Sequence, residues 1–313
     1  MRKSLPYIAV VTSMVIWAGS GIAVKAALEA LAPLTLVLSR FTIGVLLMLV
    51  IGLIANQTTA PNSILRLQKV ERQDIWLFVL GGIFQPFLYF ILETYSYKLF
   101  ATPTIAEAFL STNPLIAPIF ALIFLREKVT LWNVLGILVS TGGMLLLVLA
   151  GSGSFELGSL WAIPLALLTV CMAAAYSIIL KKVPEKYSSM TIVFWVQLAG
   201  LLLFYLVAGG KALVQPQAVW LVGEISGSAI SGLAYLAALS SVAAFVLFCY
   251  SVRYMGVTKA NIFNNIRPVF TALLMLCFFG EQLPLWKWVG IGIIVLGLFI
   301  CQKKSNNTAK SIT

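Results

Sequence analysis

The sequence predicts an all-α integral membrane protein with ten transmembrane helices arranged as two inverted five-helix repeats. Three observations carry that expectation. The chain is 61% hydrophobic and 10% charged, with a mean hydropathy of +1.01. Apolar stretches of roughly 20 residues, the length of a helix that crosses a hydrocarbon core, follow one another along it. The sequence also matches itself when displaced by 154 residues.

A soluble domain covers its surface with roughly a quarter charged residues, so 313 residues of this composition call for lipid as solvent. The formal charge is +11, yet most Lys and Arg sit in short segments between apolar runs, and no basic stripe interleaved with aromatics points to nucleic acid. Cys171, Cys249, Cys277 and Cys301 lie inside apolar runs without metal or redox spacing and read as small buried hydrophobes. The absence of histidine removes imidazole metal sites and His general bases. Neither a cofactor nor a metal is expected, and no catalytic constellation is evident. Arg2-Lys3 followed by an apolar run resembles a signal peptide, but the run continues to about Lys25 and reads as a retained first span.

The spans fall near 6–26, 33–54, 75–97, 103–125, 131–150, 159–180, 190–209, 227–251, 257–279 and 284–302. With the N-terminus placed in the cytoplasm, fifteen of the 21 Lys and Arg fall in cytoplasmic segments. Lys25, Lys98, Lys211 and Lys287 fall on the other side, and Arg40 and Arg267 within spans. The expected topology is therefore multi-pass in the inner, cytoplasmic membrane, with both termini inside. Trp132, Trp161, Trp220, Trp286 and Trp288 lie near span ends as interfacial anchors.

The displacement of 154 aligns Pro114 with Pro268, Glu127 with Glu281, Trp132 with Trp286, Gly136 with Gly290 and Gly143 with Gly297, among 11 identities over positions 106–143. Pro, Glu and Trp are not the common residues of membrane spans, so duplication explains the match better than shared composition. Five spans per repeat is odd, which inverts the second repeat relative to the first. Residues 1–152 form the first repeat, 153–302 the second, and 303–313 a cytoplasmic tail. Inverted repeats are a transporter architecture, with two related conformations around a central site.

At this level the chain resembles the drug/metabolite transporter superfamily, EamA type. The first span carries Trp17-Ala18-Gly19-Ser20 and Lys25, similar to the family's Trp-Gly-Ser…Lys with Ala18 inserted. The second carries Ser39-Arg40-Phe41. The fourth runs Asn113-Pro114…Phe124-Leu125-Arg126-Glu127, and the ninth repeats it as Arg267-Pro268…Phe279-Gly280-Glu281. The resemblance implies secondary transport of small organic metabolites, usually outward, among them amino acids, sugars, nucleobase-like compounds and drugs.

Ionisable and polar side chains at membrane depth mark the expected pathway, because each is costly in hydrocarbon unless paired or hydrated. In the third span Gln85, Tyr89 and Glu93 are spaced to share one helix face, and in the fourth Glu107 and Ser111 share a face with Pro114 and Pro118. Arg40 lies about 10 Å below the outer end of the second span, at a depth where it meets Glu93 and Glu107. Either carboxylate is a proton-coupling candidate, with a static ion pair between helices, or carboxylates near the headgroups, as the alternatives. Asn261, Asn264, Asn265 and Arg267 cluster before Pro268, and Asn113 precedes Pro114. These asparagines read either as substrate ligands or as interhelix glue. Pro114 and Pro268 are each expected to free a backbone carbonyl one turn earlier. Trp17, Tyr176 and Tyr250 are further substrate-contact candidates, whereas Glu127 and Glu281 read as structural.

The expected function is alternating-access transport of a small organic metabolite or drug, by export, with an amino-acid-like substrate and protons as the coupling ion. The alternative is a channel or passive facilitator for small polar solutes. A membrane enzyme or a receptor lacks the residues or domains it would need, and no P-loop points to ATP. The expected partners are the substrate, the bilayer and protons, without nucleic acid, in a monomer or weak homodimer.

Overall fold

The protein is described from a computed structural model covering residues 4–60, 63–100, 109–110, 112–149, 159–214, 221, 223–279 and 284–302. It is helical throughout, without strands among the described residues; an isolated bridge pairs Leu31 with Leu221. Helix α1 spans Leu5–Leu28 and α2 spans Pro33–Thr58. Helix α3, Ile75–Gly82, passes through a wide π-helical turn, Ile83–Leu88, into α4, Tyr89–Leu99. Next come α5, Asn113–Leu125, α6, Leu131–Leu149, α7, Ala162–Lys182, and α8, Ser189–Val214. Helix α9, Gly227–Ala234, continues through a second π-helical stretch, Tyr235–Ala244, into α10, Phe245–Met255. Helix α11, Val257–Asn261, tightens to a 3₁₀ turn over Ile262–Ile266, and α12, Arg267–Phe279, and α13, Leu285–Gln302, follow.

Among the described residues six helical stretches are long and apolar enough to cross a membrane: Leu5–Leu28, Pro33–Thr58, Arg72–Glu93, Ala162–Lys182, Ser189–Gly210 and Gly227–Met255. Shorter apolar helices cover Asn113–Leu125, Leu131–Leu146 and Leu285–Cys301. Large apolar side chains face outward, Leu206 at 72% exposure and Phe299 at 75%, while Arg40, Gln197, Asn261 and Asn265 are buried. That distribution puts apolar groups where solvent would be and polar groups in the core, as a surrounding hydrocarbon phase requires.

The two π-helical stretches interrupt long apolar helices at matching places. The displacement of 154 residues carries 83–88 onto 237–242, inside Tyr235–Ala244. In the first, Gln85 leaves the helix altogether (φ −151°, ψ 118°), and the Gln85–Pro86 peptide is cis. The second keeps a helical course with neither Pro nor Gly in it.

Packing is interleaved along the chain. Helix α1 lies against α9, α10 and the π stretch between them, and also against α12. Helix α7 lies against α3, α4 and the π turn between them, and also against α5. Likewise α2 packs on the second π stretch and α8 on the first. Each of these contacts maps onto its counterpart when residue numbers are displaced by 154. Helices α6 and α13 form a close antiparallel pair. A Cβ on Gly297 would lie 2.7 Å from the Gly136 carbonyl oxygen, and one on Gly143 would lie 2.8 Å from that of Gly290. These two approaches exchange with one another under the same displacement.

The connections hydrogen-bond within two groups. On the face richer in Lys and Arg, the segment before α3 is strapped to the α7–α8 connection. Met190 N–H donates to Ile64 O (3.0 Å), Gln68 N–H donates to Thr191 Oγ1 (3.0 Å), and Lys186 pairs with Glu71 (2.7 Å) and Asp74 (3.0 Å). Lys181 Nζ and the Arg253 guanidinium tie the end of α10 to the same region. Arg126, at φ 54°, ends α5 in the left-handed conformation, and the Glu127 carboxylate then accepts the N–H of Val257 (2.9 Å) and of Thr258 (3.2 Å). Gly256, at φ 87°, supplies the turn there, and a Cβ on it would lie 2.8 Å from Glu127. On the opposite face Gly223 N–H donates to Ala30 O (3.5 Å) and Ser159 N–H to Leu99 O (3.0 Å).

Candidate functional site

A polar hub forms where α1, α2, α4 and α8 meet the second π stretch. Helix α2 carries Arg40 inward, 6% exposed. Its Nε donates to Ser241 Oγ (2.6 Å) and its Nη2 to Ser240 Oγ (2.9 Å). The guanidinium lies 4.9 Å from the Phe90 ring centroid and 5.3 Å from that of Phe41. Glu93 and Tyr89 reach it through their electrostatic field. The tyrosine hydroxyl donates to Glu93 Oε1 at 3.0 Å, which places these two on one face as their spacing requires.

A π-helical stretch leaves backbone carbonyls without their regular helical donors, and this one recruits donors from neighbouring helices. Trp17 Nε1 donates to Ser240 O (3.2 Å), and Gln197 Nε2 donates to Ser241 O (2.6 Å). Ser20 Oγ donates to Ser240 Oγ (2.9 Å), and Tyr235 OH donates to Ile16 O (2.7 Å). The Trp17 ring is wedged against Phe245 (5.1 Å) and Phe248 (5.2 Å), with the Arg267 guanidinium 6.0 Å from it. Gly44, one turn beyond Arg40, keeps α2 close to the stretch: a Cβ there would lie 3.4 Å from Ala237 O.

A second polar cluster joins α5, α7 and α11. Asn113 Nδ2 donates to Asn261 Oδ1 (2.7 Å), and Asn261 Nδ2 donates to Ser177 Oγ (3.2 Å) and to Val257 O (3.0 Å). Asn264 Nδ2 donates to Asn261 O (2.9 Å). Asn265 Nδ2 turns the other way, toward Ser140 Oγ and Thr141 Oγ1 on α6. Asn113 Oδ1, Asn265 Oδ1, Gln197 Oε1 and the hydroxyls of Tyr176 and Tyr250 are buried without a hydrogen-bond partner among the described residues. Such groups suit a region that admits water or solute.

The sequence-predicted residues divide accordingly. Arg40, Trp17, Tyr89 and Glu93 meet at the hub; Asn113, Asn261 and Asn264 meet in the second cluster. Asn265 bonds to α6 instead, and Arg267 lies beside Trp17. Tyr176 is packed edge-on to Phe245 at 6.2 Å, while Tyr250 lies at a tilt against Tyr254 at 4.6 Å near the end of α10. Gln85 departs from expectation: the helix breaks at that residue, so it does not continue the Tyr89–Glu93 face. Pro114 lies in the first turn of α5, and Pro268 is the second residue of α12. Pro114 thus starts a helix, whereas Pro268 follows the 3₁₀ turn without a break, and the Asn264 carbonyl one turn earlier accepts the Arg267 N–H. Glu107, Ser111 and Glu281 lie outside the described residues. A groove lined by Arg72, Ile75, Trp76, Val79, Leu80 and Ile83 opens on the flank of α3 and touches none of the hub residues.

Comparison with known proteins bears on the whole chain. The model of the EamA-like transporter family matches residues 4–149 and again 160–301. An uncharacterized transporter, YetK, of Bacillus subtilis (strain 168) is 26% identical over 238 residues, 74% of this chain and 69% of that protein. Two uncharacterized transporters of Archaeoglobus fulgidus are 22% and 21% identical, covering 95% and 97% of this chain and 99% of each relative. A solved crystal structure superposes with a TM-score of 0.73 at 20% identity over 96% of both chains, a likeness of fold.

Proposed function

The chain belongs to the EamA-like transporter family and is a membrane transporter, and we propose that it is a secondary carrier that exposes the Arg40 hub alternately to the two sides of the bilayer. The observation that carries this reading is the matched pair of π-helical interruptions, 83–88 and 237–242, in helices whose neighbours are related by the same displacement of 154 residues. In an inverted repeat each interruption occupies the other's environment after the conformational change, so a single hub serves two openings. The double family match and the antiparallel α6–α13 pair support inverted five-helix repeats, with residues 1–152 and 153–302 as the units and ten passes through the bilayer. The grouping of connections by face supports the same path. The excess of Lys and Arg places the strapped face and both termini in the cytoplasm of a cell whose inner membrane holds the protein.

In this reading Arg40, Trp17, Tyr89, Glu93, Asn113 and Asn261 line the pathway, Glu93 exchanges the coupling proton, and export of a small organic solute is the working direction. Arg40, Ser240 and Ser241 are buried at the hub, which suits a carrier site better than a continuous pore.

Accessibility from the two sides tests the mechanism. Ser20→Cys, in a chain whose four native cysteines are replaced, is treated with membrane-impermeant maleimide in right-side-out and inverted vesicles. Labelling from either face is expected. Labelling from one face alone, or from neither, would remove the alternating-access reading.

A further inference from the structure

Resting on the carrier reading, we propose that Arg40, with Ser241, Ser240 and Ser20, forms an anion site that takes the carboxylate of the transported molecule. A guanidinium has five N–H donors in a planar fork. Among the described residues its direct hydrogen-bond partners are the two neutral hydroxyls of Ser241 (2.6 Å) and Ser240 (2.9 Å), and the rings of Phe41 and Phe90 wall its faces. An arginine whose task is to mend a helix interruption would bond the carbonyls that the interruption releases. Those carbonyls are held by other groups: Ser240 O by Trp17 Nε1 and Ser241 O by Gln197 Nε2. Two uncharged N–H groups from α1 and α8 therefore neutralise the backbone acceptors and keep them from competing for the cation.

The hydroxyls fit the same chemistry. Ser240 and Ser241 accept from Arg40, so each of these two hydroxyls retains its own proton to donate, and Ser20, whose proton goes to Ser240 Oγ at 2.9 Å, steadies the pair from α1. A cation in fork geometry beside a row of O–H donors matches a planar carboxylate, which accepts two parallel bonds. Glu93 lies within electrostatic reach and hydrogen-bonds to Tyr89, so it offsets part of the cost of burying the guanidinium before substrate arrives.

The test compares matched small molecules that differ in the charge of one group. Thermal unfolding of the purified full-length protein is followed with hexanoate, hexanamide, hexylamine and 6-aminohexanoate at equal concentration and ionic strength. Hexanoate and 6-aminohexanoate are expected to raise the midpoint, and hexanamide and hexylamine to leave it in place. Arg40→Gln should weaken the carboxylate response tenfold or more, with Arg40→Lys intermediate because it keeps the charge and loses the fork. If Arg40→Gln does not fold, Ser20→Ala keeps the question open to measurement, with a few-fold loss expected. Equal shifts from hexanamide or hexylamine, no shift from either carboxylate, or a full carboxylate response in Arg40→Gln would overturn the proposal. The two-sided labelling at position 20 requires no ligand, so failure of the carboxylate claim leaves the carrier reading separately decided.

Discussion

Trp17 shows how a residue at the hub divides its chemistry. The ring packs on Phe245 and Phe248, and the N–H is held by Ser240 O at 3.2 Å. Trp17→Phe keeps most of the apolar contact and removes the donor, so it should destabilise the protein by about 1 kcal/mol in a reversible unfolding measurement. A neutral outcome would mean that the Ser240 carbonyl finds another donor. At this scale the sequence is informative where a side chain is rare at membrane depth. Arg40 stands out by its charge, Tyr89 and Glu93 by their spacing, Asn113 by polarity beside a proline, and Asn261 by polarity inside an apolar span. Ser240, Ser241 and Gln197 give weaker signals, since serine is common in membrane helices and forms local backbone bonds there. An adjacent pair of serines, with a glutamine near the middle of another span, is the clue that was available. Gln85 misleads for the opposite reason: its spacing assumes a continuous helix, and the chain at Gln85 is extended.

At the scale of elements, apolar run length locates the helices closely, because bilayer thickness imposes it. The interruptions are less legible. Pro86 marks the one at 83–88, but Tyr235–Ala244 contains neither Pro nor Gly, and tertiary hydrogen bonds from Trp17 and Gln197 hold it. The α6–α13 pair gives a direct test of element packing. A Cβ on Gly297 would lie 2.4 Å from Ser140 N, a backbone atom that cannot step aside, whereas Gly292 on the same helix faces open space. Gly297→Leu should therefore cost at least about 3 kcal/mol and reduce the yield of folded protein, while Gly292→Leu is tolerated. Equal tolerance of both substitutions would show that the two helices are not in close contact.

The strap before α3 responds to acid. The Glu71 carboxyl is held below its ordinary 4.5, first by its hydrogen bond from Lys186, and the Lys186 ammonium is in turn raised above its ordinary 10.5 by Glu71. A carboxyl lowered by folding stabilises above its ordinary value and loses that contribution as pH falls through the folded one. A raised ammonium stabilises below its ordinary value and loses that contribution only as pH rises through its raised one. The strap is thus tied at neutral pH and loosens as acid protonates the Glu71 carboxyl, below its ordinary range. Amide exchange at Gln68 and Glu71, corrected for its intrinsic pH dependence, should lose protection as the carboxyl is protonated; protection unchanged by Glu71→Gln at neutral pH would show that the ion pair does not hold the segment.

For the whole molecule, the repeat is written in the sequence at a displacement of 154 residues, but its spatial consequence is not. Short connections between consecutive spans suggest that each half packs on itself. Instead, α1 lies against α9 and α10, and α7 lies against α3 and α4. Each packing group is built from both halves, one containing α1, α2, α9 and α10 and the other α3, α4, α7 and α8. No local pattern encodes this exchange, because it depends on which apolar faces fit one another after insertion. It also sets the expected motion: the two groups tilt about the hub while α6 and α13 stay together.

Spin labels at Lys128 and Tyr254, on the face rich in Lys and Arg, and separately at Leu160 and Ser228, on the opposite face, measure that motion in lipid. We expect two distance populations for each pair, with conditions that lengthen one pair shortening the other. A single, unchanging distance at both faces, or both pairs lengthening together, would contradict alternating access around Arg40.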